Sequence, residues 1–144
     1  MPTIERSALV SFSCEQMYEL VADFASYPQY MPGVARAELL AEGEGWLEAR
    51  LHINRLGVKQ SFSTRNTLEP PYHMGITMLE GPLKSMTGGW QFQPLGDAAC
   101  KVIFKLDFDV KPGLAGLALP KLMELSASEQ VDALCRRAKQ CYAS

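Results

Sequence analysis

The chain has 144 residues, of which 47% are hydrophobic and 21% are charged, and its formal net charge at pH 7 is −2. This is the composition of a soluble globular protein, and the length favours a single domain spanning residues 1–144. The near-zero charge excludes a global positive field that would attract nucleic acid, and every apolar run is far shorter than the roughly 18 residues of a membrane span. The first residues include no apolar signal segment, so we expect a cytoplasmic protein.

The N-terminal segment predicts a strand followed by a helix. Residues 4–12 alternate between apolar and polar side chains, as a strand with one buried face does. Ser13 and Gln16 form the Ser-x-x-Gln pattern of a capping box, which predicts the start of a helix. The helical spacing i, i+3, i+4, i+7 then continues through Met17, Leu20, Val21 and Phe24. Residues 26–33 have room for only a short second helix, because Pro32-Gly33 ends the run.

From residue 34 to residue 110 the apolar period becomes two, which predicts strands. Turn signals such as Glu42-Gly43-Glu44-Gly45 and Pro94-Leu95-Gly96-Asp97 separate consecutive segments. The segments are residues 34–41, 46–54, 58–68, 72–79, 84–93 and 99–110. Six strands joined by short turns predict an antiparallel meander.

Residues 114–142 return to helical spacing, and Pro120 interrupts them. The helix therefore either begins near Pro120 or kinks there. The element order is one strand, a helix, a short helix, six strands and a long helix, which defines an α+β fold. A seven-stranded antiparallel sheet has one apolar face to cover, and twist would curl that sheet around the last helix.

Three segments, together with this element order, resemble a known family. They are the Tyr-Pro-x-aromatic-x-Pro pattern of 27–33, the Phe-x-Thr-Arg-Asn-x-Leu pattern of 62–68, and Gly-Pro-Leu-Lys at 81–84 followed by Gly-Trp-x-Phe-x-Pro at 89–94. The chain is identified as a member of the START-like, helix-grip superfamily, in its coenzyme Q-binding, RatA-like branch. It departs from the family pattern at Gly33-Val34, where a cysteine often stands, and at Pro120, near the expected cavity mouth at 112–120.

The resemblance implies two activities, neither of them catalytic. Members bind a polyprenyl quinone, such as ubiquinone, or a similar lipid between the sheet and the long helix, and they support respiration. RatA-like members are toxins of toxin–antitoxin pairs that bind the large ribosomal subunit and block subunit association. No cofactor is implied.

Strand parity and helical spacing define a candidate ligand cavity with an apolar lining and a few polar groups. Such a lining suits a lipid-like ligand, whereas a packed core whose polar groups meet backbone or water is the alternative. The short helix around Tyr27 could gate this cavity, present aromatic rings to a membrane or partner, or cap the core. The candidate lining residues are Phe24, Tyr27, Tyr30, Met31, Gln60, Phe62, Thr64, Asn66, Met74, Met78, Met86, Trp90, Phe92, Met123 and Val131.

Ribosome binding requires positive charge, because ribosomal RNA is a polyanion. Between residues 46 and 68 a single acid, Glu48, accompanies four candidate ribosome-facing side chains, Arg50, Arg55, Lys59 and Arg65. Strand parity directs Arg50, Lys59 and Arg65 outward. A second basic cluster lies at residues 136–139, and an ordinary solvated surface would explain both clusters equally well.

The titratable residues form no catalytic or metal-binding pattern. His52 shares the solvent side of its strand with Glu48 and Arg50, and neither it nor His73 has a second ligand nearby in sequence, so we expect exposed histidines and no metal. The cysteines show no Cys-x-x-Cys spacing, which predicts reduced thiols at Cys14, Cys100, Cys135 and Cys141.

Three functions stay open from the residues. The leading hypothesis is a non-enzymatic binding protein. A polyketide cyclase or dehydratase acting on an aromatic substrate would need an acid or base inside the cavity. A protein-interaction module would have a filled core.

Overall fold

The computed structural model describes residues 3–55, 58–110 and 119–142, with the backbone alone at residues 55, 58 and 119–122. The strands are β1 (Thr3–Val10), β2 (Val34–Gly43), β3 (Trp46–Arg55), β4 (Val58–Glu69), β5 (His73–Glu80), β6 (Ser85–Pro94) and β7 (Cys100–Asp109). The helices are α1 (Cys14–Ala22), a 3₁₀ helix (Phe24–Gln29) and α2 (Leu119–Tyr142). The predicted element order is confirmed.

All seven strands form one antiparallel sheet in the order β1-β7-β6-β5-β4-β3-β2. Two glycines allow neighbouring strands to approach closely in its centre, since Gly88 and Gly89 have φ values of 159° and 152°. A Cβ atom on Gly89 would lie 2.2 Å from the carbonyl oxygen of Met74, and one on Gly88 would lie 2.0 Å from that of Lys105. Glycine is therefore required at both positions.

Helices α1 and α2 cover the sheet on the side of β1, β6 and β7, whereas the 3₁₀ helix lies against β2. Helix α2 lies against β1 and β7, and α1 lies against β6, β7 and α2. Arg6 of β1 joins the two layers by donating from Nε to Ser128 Oγ of α2 at 2.8 Å. The core between the layers is apolar, and its largest fully buried side chains include Phe92, Phe108, Met17 and Leu134. Burying each such side chain stabilises the fold by roughly 1.5–3 kcal/mol.

The predicted capping box is confirmed, whereas the elements on either side of it differ from prediction. Ser13 Oγ accepts from the Gln16 backbone N–H at 3.2 Å, and Gln16 Oε1 accepts from the Ser13 backbone N–H at 3.0 Å. The first strand ends at Val10 rather than at residue 12, because the chain bends there and Phe12 packs its ring against Tyr142 at 6.1 Å. The short helix is 3₁₀ and begins earlier than the predicted 26–33.

Pro120 is the second residue of α2 as the structure describes it. A proline fits the first turn of a helix because the N–H it lacks would have no partner there. Residues 114–118, which were also predicted to be helical, lie outside the described residues. None of the described helices combines the length and apolarity that a membrane crossing requires.

Candidate functional site

The tyrosines of the 3₁₀ helix cap the end of α1. Tyr27 Oη donates to the carbonyl oxygen of Val21, and Tyr30 Oη donates to that of Leu20 at 3.3 Å. These carbonyls belong to the last turn of α1, where the helix provides no further N–H groups. The tyrosine hydroxyls replace those missing donors, so the Tyr-Pro-x-Tyr segment closes α1 at the edge of the core.

Arg137 of α2 holds the 3₁₀ helix from the opposite side. Its guanidinium lies 5.1 Å from the ring centroid of Tyr30, and its Nη2 donates to Gln29 Oε1 at 3.1 Å. Burial raises the pKa of both Tyr27 and Tyr30, so their hydroxyls stay protonated and remain donors. Of the three roles considered for this segment, these contacts support capping of the core.

The structure divides the candidate lining residues by burial. Six are fully buried: Met31, Thr64, Met74, Trp90, Phe92 and Val131. Eight are half-buried: Phe24, Tyr27, Tyr30, Phe62, Asn66, Met78, Met86 and Met123. Gln60 is exposed, because it lies near the start of β4, away from α1 and α2, which contact β1, β6 and β7.

The aromatic side chains beneath α1 are in direct contact with one another. The ring of Trp90 stacks on Phe104 at 4.3 Å between centroids, and Tyr18 meets Phe92 edge-on at 5.9 Å. These centroid separations are those of aromatic pairs in contact. Trp90 and Phe92 are therefore core residues in this structure.

The half-buried apolar side chains occupy the rest of the inner face. Phe62 of β4, Met78 of β5, Met86 of β6 and Met123 of α2 each pack against the core and keep part of their surface uncovered. Methionine side chains are flexible and polarisable, so they adapt to ligands of varied shape. This part of the inner face offers apolar area to a ligand.

A polar pair lies within that face. Thr64 Oγ1 donates to Asn66 Oδ1 at 2.9 Å, and Asn66 Nδ2 donates to the sulfur of Met74 at 3.8 Å. Thioether sulfur is a weak acceptor, and a carboxamide has two N–H donors. Asn66 therefore has donor capacity left for a carbonyl oxygen.

Tyr18 is a buried polar residue that the sequence reasoning missed. Its hydroxyl has no hydrogen-bond partner within the described part of the chain. Burial, with a smaller contribution from Glu69, raises its pKa. The signal was present in the sequence, because Cys14, Met17, Tyr18 and Val21 have the spacing i, i+3, i+4, i+7 of a buried helix face.

The basic patch on the outer face of β3 and β4 is more neutral than predicted. Arg50 lies 4.0 Å from Glu80 of β5, and Arg65 lies 3.9 Å from Glu48 while its guanidinium stacks 4.3 Å from the Trp46 ring. The sequence count of one acid was incomplete, because Glu80 comes from a strand outside residues 46–68. Lys59 is exposed, and the Arg55 side chain lies outside the described residues.

The expectation of exposed histidines was wrong, although strand parity placed His52 on the correct face. His52 is half-buried, with Nε2 2.6 Å from Glu38 Oε1 and Nδ1 3.1 Å from Ser61 Oγ. His73 is also half-buried, 3.8 Å from Glu69. The partners of both histidines lie on neighbouring strands, so the alternation of side chains along a single strand could not predict these contacts.

Two open recesses lie along the sheet. One, of about 650 Å³, is lined by Tyr72, His73, Gln91, Phe92, Gln93, Pro94 and Ile103. The other, of about 530 Å³, is lined by Ala35, Arg36, His52, Ile53, Asn54, Lys59, Gln60 and Ser61. Among the described residues, no carboxylate or imidazole is fully buried, and no three potential metal ligands come together.

Residues 10–135 match the protein family described as polyketide cyclase / dehydrase and lipid transport. The protein therefore belongs to this START-like family, which confirms the recognition made from its motifs. It is 40% identical over 142 residues, covering 99% of both chains, to the ribosome association toxin RatA of Vibrio cholerae. It is also 27% identical over 110 residues, 74% of this chain and 46% of the other, to the mitochondrial coenzyme Q-binding protein COQ10 of Drosophila melanogaster.

Solved structures support the same fold. The Zhui aromatase/cyclase from Streptomyces sp. R1128 aligns with a TM-score of 0.88 at 22% identity, over 99% of this chain and 96% of that one. A START superfamily protein from Mycobacterium smegmatis aligns with a TM-score of 0.83 at 23% identity, over 96% and 97%. At such identities the likeness concerns the fold alone, and the predicted helix-grip fold is confirmed.

Proposed function

We propose that this protein is a non-enzymatic, RatA-type binding protein with two partners. Its inner face takes ubiquinone, another polyprenyl quinone or a similar lipid, and its outer face binds the large ribosomal subunit and blocks subunit association. The name of its relative in Drosophila melanogaster supports the lipid-binding half of this proposal, and the name of its relative in Vibrio cholerae supports the ribosome-binding half.

The observation that carries the ligand-binding half is the chemistry of the uncovered inner face. Phe62, Met78, Met86 and Met123 supply apolar area for an isoprenoid tail. Asn66 supplies an amide donor whose present partner is the weak sulfur acceptor of Met74. An apolar surface with few polar groups is typical of sites for lipid-like molecules.

The same face argues against a cyclase. That reaction needs an acid or base beside the substrate, and neither Arg6 of β1 nor Tyr72, the residue before β5, is suited to that role. Arg6 is engaged by Ser128 and by the carbonyl of Glu5, while Tyr72 is 53% exposed. The likeness to the Zhui aromatase/cyclase concerns the fold, and it supplies no catalytic group here.

The ribosome-binding half is assigned to the outer face of β3 and β4. Arg50, Arg55, Lys59 and Arg65 are the proposed contacts, because phosphate-binding proteins rely on arginine and lysine at such surfaces. The acids Glu48 and Glu80 moderate this patch, so we expect binding that depends on shape as well as on charge.

Native mass spectrometry of the protein from its own host, with lipid extraction, tests the ligand half. We expect a bound quinone or lipid that is lost in Met78→Gln. Leu79→Gln is the matched control, because Leu79 is the next residue, is 48% exposed and is not among the residues that pack against the core. Wild-type protein without any lipid, or equal loss from both variants, would contradict the proposal.

A further inference from the structure

A chain of hydrogen bonds crosses three adjacent strands on the outer face. Glu38 of β2 contacts Nε2 of His52 on β3, and Nδ1 of the same ring contacts Ser61 of β4. The sheet register supports this arrangement, since His52 lies opposite both Arg36 and Ser61. The next pair along the same face is Asn54 and Lys59.

The end of the outer face that holds Arg36, His52 and Lys59 carries an excess of positive charge. Glu38 Oε1 lies 2.6 Å from His52 and 3.5 Å from Arg36, so its charge is already compensated. No ion pair involves Lys59 within the described part of the chain, and its side chain is exposed. The arginines at the other end, Arg50 and Arg65, have acidic neighbours instead.

The protonation of His52 decides what Ser61 can offer. With Nε2–H donated to Glu38, the Nδ1 atom of a neutral ring accepts the Ser61 hydroxyl proton. A protonated ring donates from both nitrogens, so Ser61 accepts that bond and its own O–H becomes free to donate elsewhere. Protonation thus adds one positive charge and one outward donor at the same place.

We propose that Lys59, Ser61 and His52, held in place by Glu38 and Arg36, form a binding site for the phosphodiester backbone of RNA that strengthens when His52 is protonated. The site borders the open recess of about 530 Å³, which has room for a phosphate and its sugar. Lysine, serine and arginine are typical partners of backbone phosphates. This inference rests on the proposed ribosome association and specifies the surface and the chemistry that carry it.

Histidine is the side-chain type that ordinarily changes charge near neutral pH, and four charged groups face the His52 ring. They are Arg36 and Glu38 on β2, Arg50 on β3 and Lys59 on β4. Arginine and lysine stay charged in this range. The hydrogen bond from His52 lowers the pKa of Glu38, so its carboxylate also stays charged. Affinity for RNA should therefore rise as pH falls through the range in which histidine titrates.

Fluorescence anisotropy with a short fluorescein-labelled RNA duplex, over a series of salt concentrations, tests the site. Lys59→Gln should reduce the slope of log K against log salt by about one. Lys105→Gln, an exposed lysine of β7, is the matched control and should leave the slope unchanged. Equal slopes for the two variants would overturn the inference, as would polyglutamate competing as well as unlabelled RNA.

The pH dependence of RNA affinity is measured separately. Wild-type affinity should increase as the pH falls through the range in which histidine side chains ordinarily ionise, and His52→Gln should remove that increase. Ser61→Ala should weaken binding more at the lower pH than at the higher one. A pH profile that is the same in wild type and His52→Gln would overturn the inference.

Sedimentation with purified large ribosomal subunits separates this inference from the proposed function. If the wild type, Lys59→Gln and His52→Gln all sediment with the large subunit to the same extent, the proposed RNA site is refuted and the proposed ribosome association stands. If the wild type binds the RNA duplex with the expected pH dependence but does not sediment with large subunits, the proposed ribosome association is refuted and the RNA site stands. Thermal unfolding of each variant checks that it remains folded.

Discussion

Replacing Tyr27 with phenylalanine tests the explanation of the Tyr-Pro-x-Tyr segment. The change removes one hydroxyl and keeps the ring that packs on the core. It leaves the carbonyl of Val21, in the last turn of α1, without its tyrosine donor. Leaving a buried acceptor unsatisfied costs about 1–3 kcal/mol, and this partly buried bond belongs at the lower end, near 1–2 kcal/mol.

Tyr30→Phe provides the matched comparison. Its hydroxyl reaches Leu20 at 3.3 Å, a longer and weaker bond, so we expect a loss of about 0.5 kcal/mol. For a chain of 144 residues, each kcal/mol corresponds to a shift of about 3 °C in Tm. Tyr27→Phe should therefore unfold about 3–6 °C below wild type, and Tyr30→Phe about 1–2 °C below.

Urea titration followed by circular dichroism measures both differences as shifts of the midpoint at constant slope. Two results would contradict the capping role: Tyr27→Phe as stable as wild type, or Tyr30→Phe less stable than Tyr27→Phe. Either result would mean that the tyrosine hydroxyls do not satisfy the end of α1.

Three further predictions concern single side chains. Ser13→Ala should lower the free energy of unfolding by about 1 kcal/mol, because it removes one half of the capping box; an unchanged urea midpoint would contradict this. Tyr18→Phe should raise that free energy by about 1 kcal/mol, since the lost hydroxyl has no partner among the described residues, and a lower stability would reveal a solvent or ligand partner. Burial raises the pKa of Cys100 to about 12, so mass mapping at pH about 8 should find iodoacetamide on the exposed Cys141 well before Cys100; the reverse order would contradict the packing of β7.

The sequence was sufficient for the order of elements because local signals determine it. Strand alternation marked all seven strands to within a few residues, and the pairing of Ser13 with Gln16 located the start of α1. The end of β1 was misplaced because Phe12 continues the apolar alternation after the chain has turned toward Tyr142. Periodicity records which side chains are apolar, and it does not record where the backbone bends.

Contacts between distant strands were beyond the reach of the sequence. Parity placed His52 on the outer face, yet its partners Glu38 and Ser61 follow from the register of β2, β3 and β4. The ion pair between Arg50 and Glu80 has the same origin, because a register shift between β4 and β5 brings Glu80 opposite Ser63, which lies opposite Arg50. A shift of one residue changes which side chains meet across a sheet.

Burial also separated residues that looked equivalent in sequence. Trp90 and Met86 lie on the same strand and the same face, yet Trp90 fills the core against Phe104 and Met86 stays half-buried. The cause is the position of α1, which reaches β6 through the contact between Tyr18 and Phe92, close to Trp90 and at the other end of the strand from Met86. Only the three-dimensional arrangement shows which part of the inner face is left for a ligand.

Sucrose-gradient sedimentation of ribosomes incubated with the purified protein is the most direct test of the proposed function. We expect the protein to migrate with the large subunit, free subunits to increase, and the peak of joined ribosomes to decrease as protein is added. Protein that stays at the top of the gradient while the peak of joined ribosomes is unchanged would contradict it.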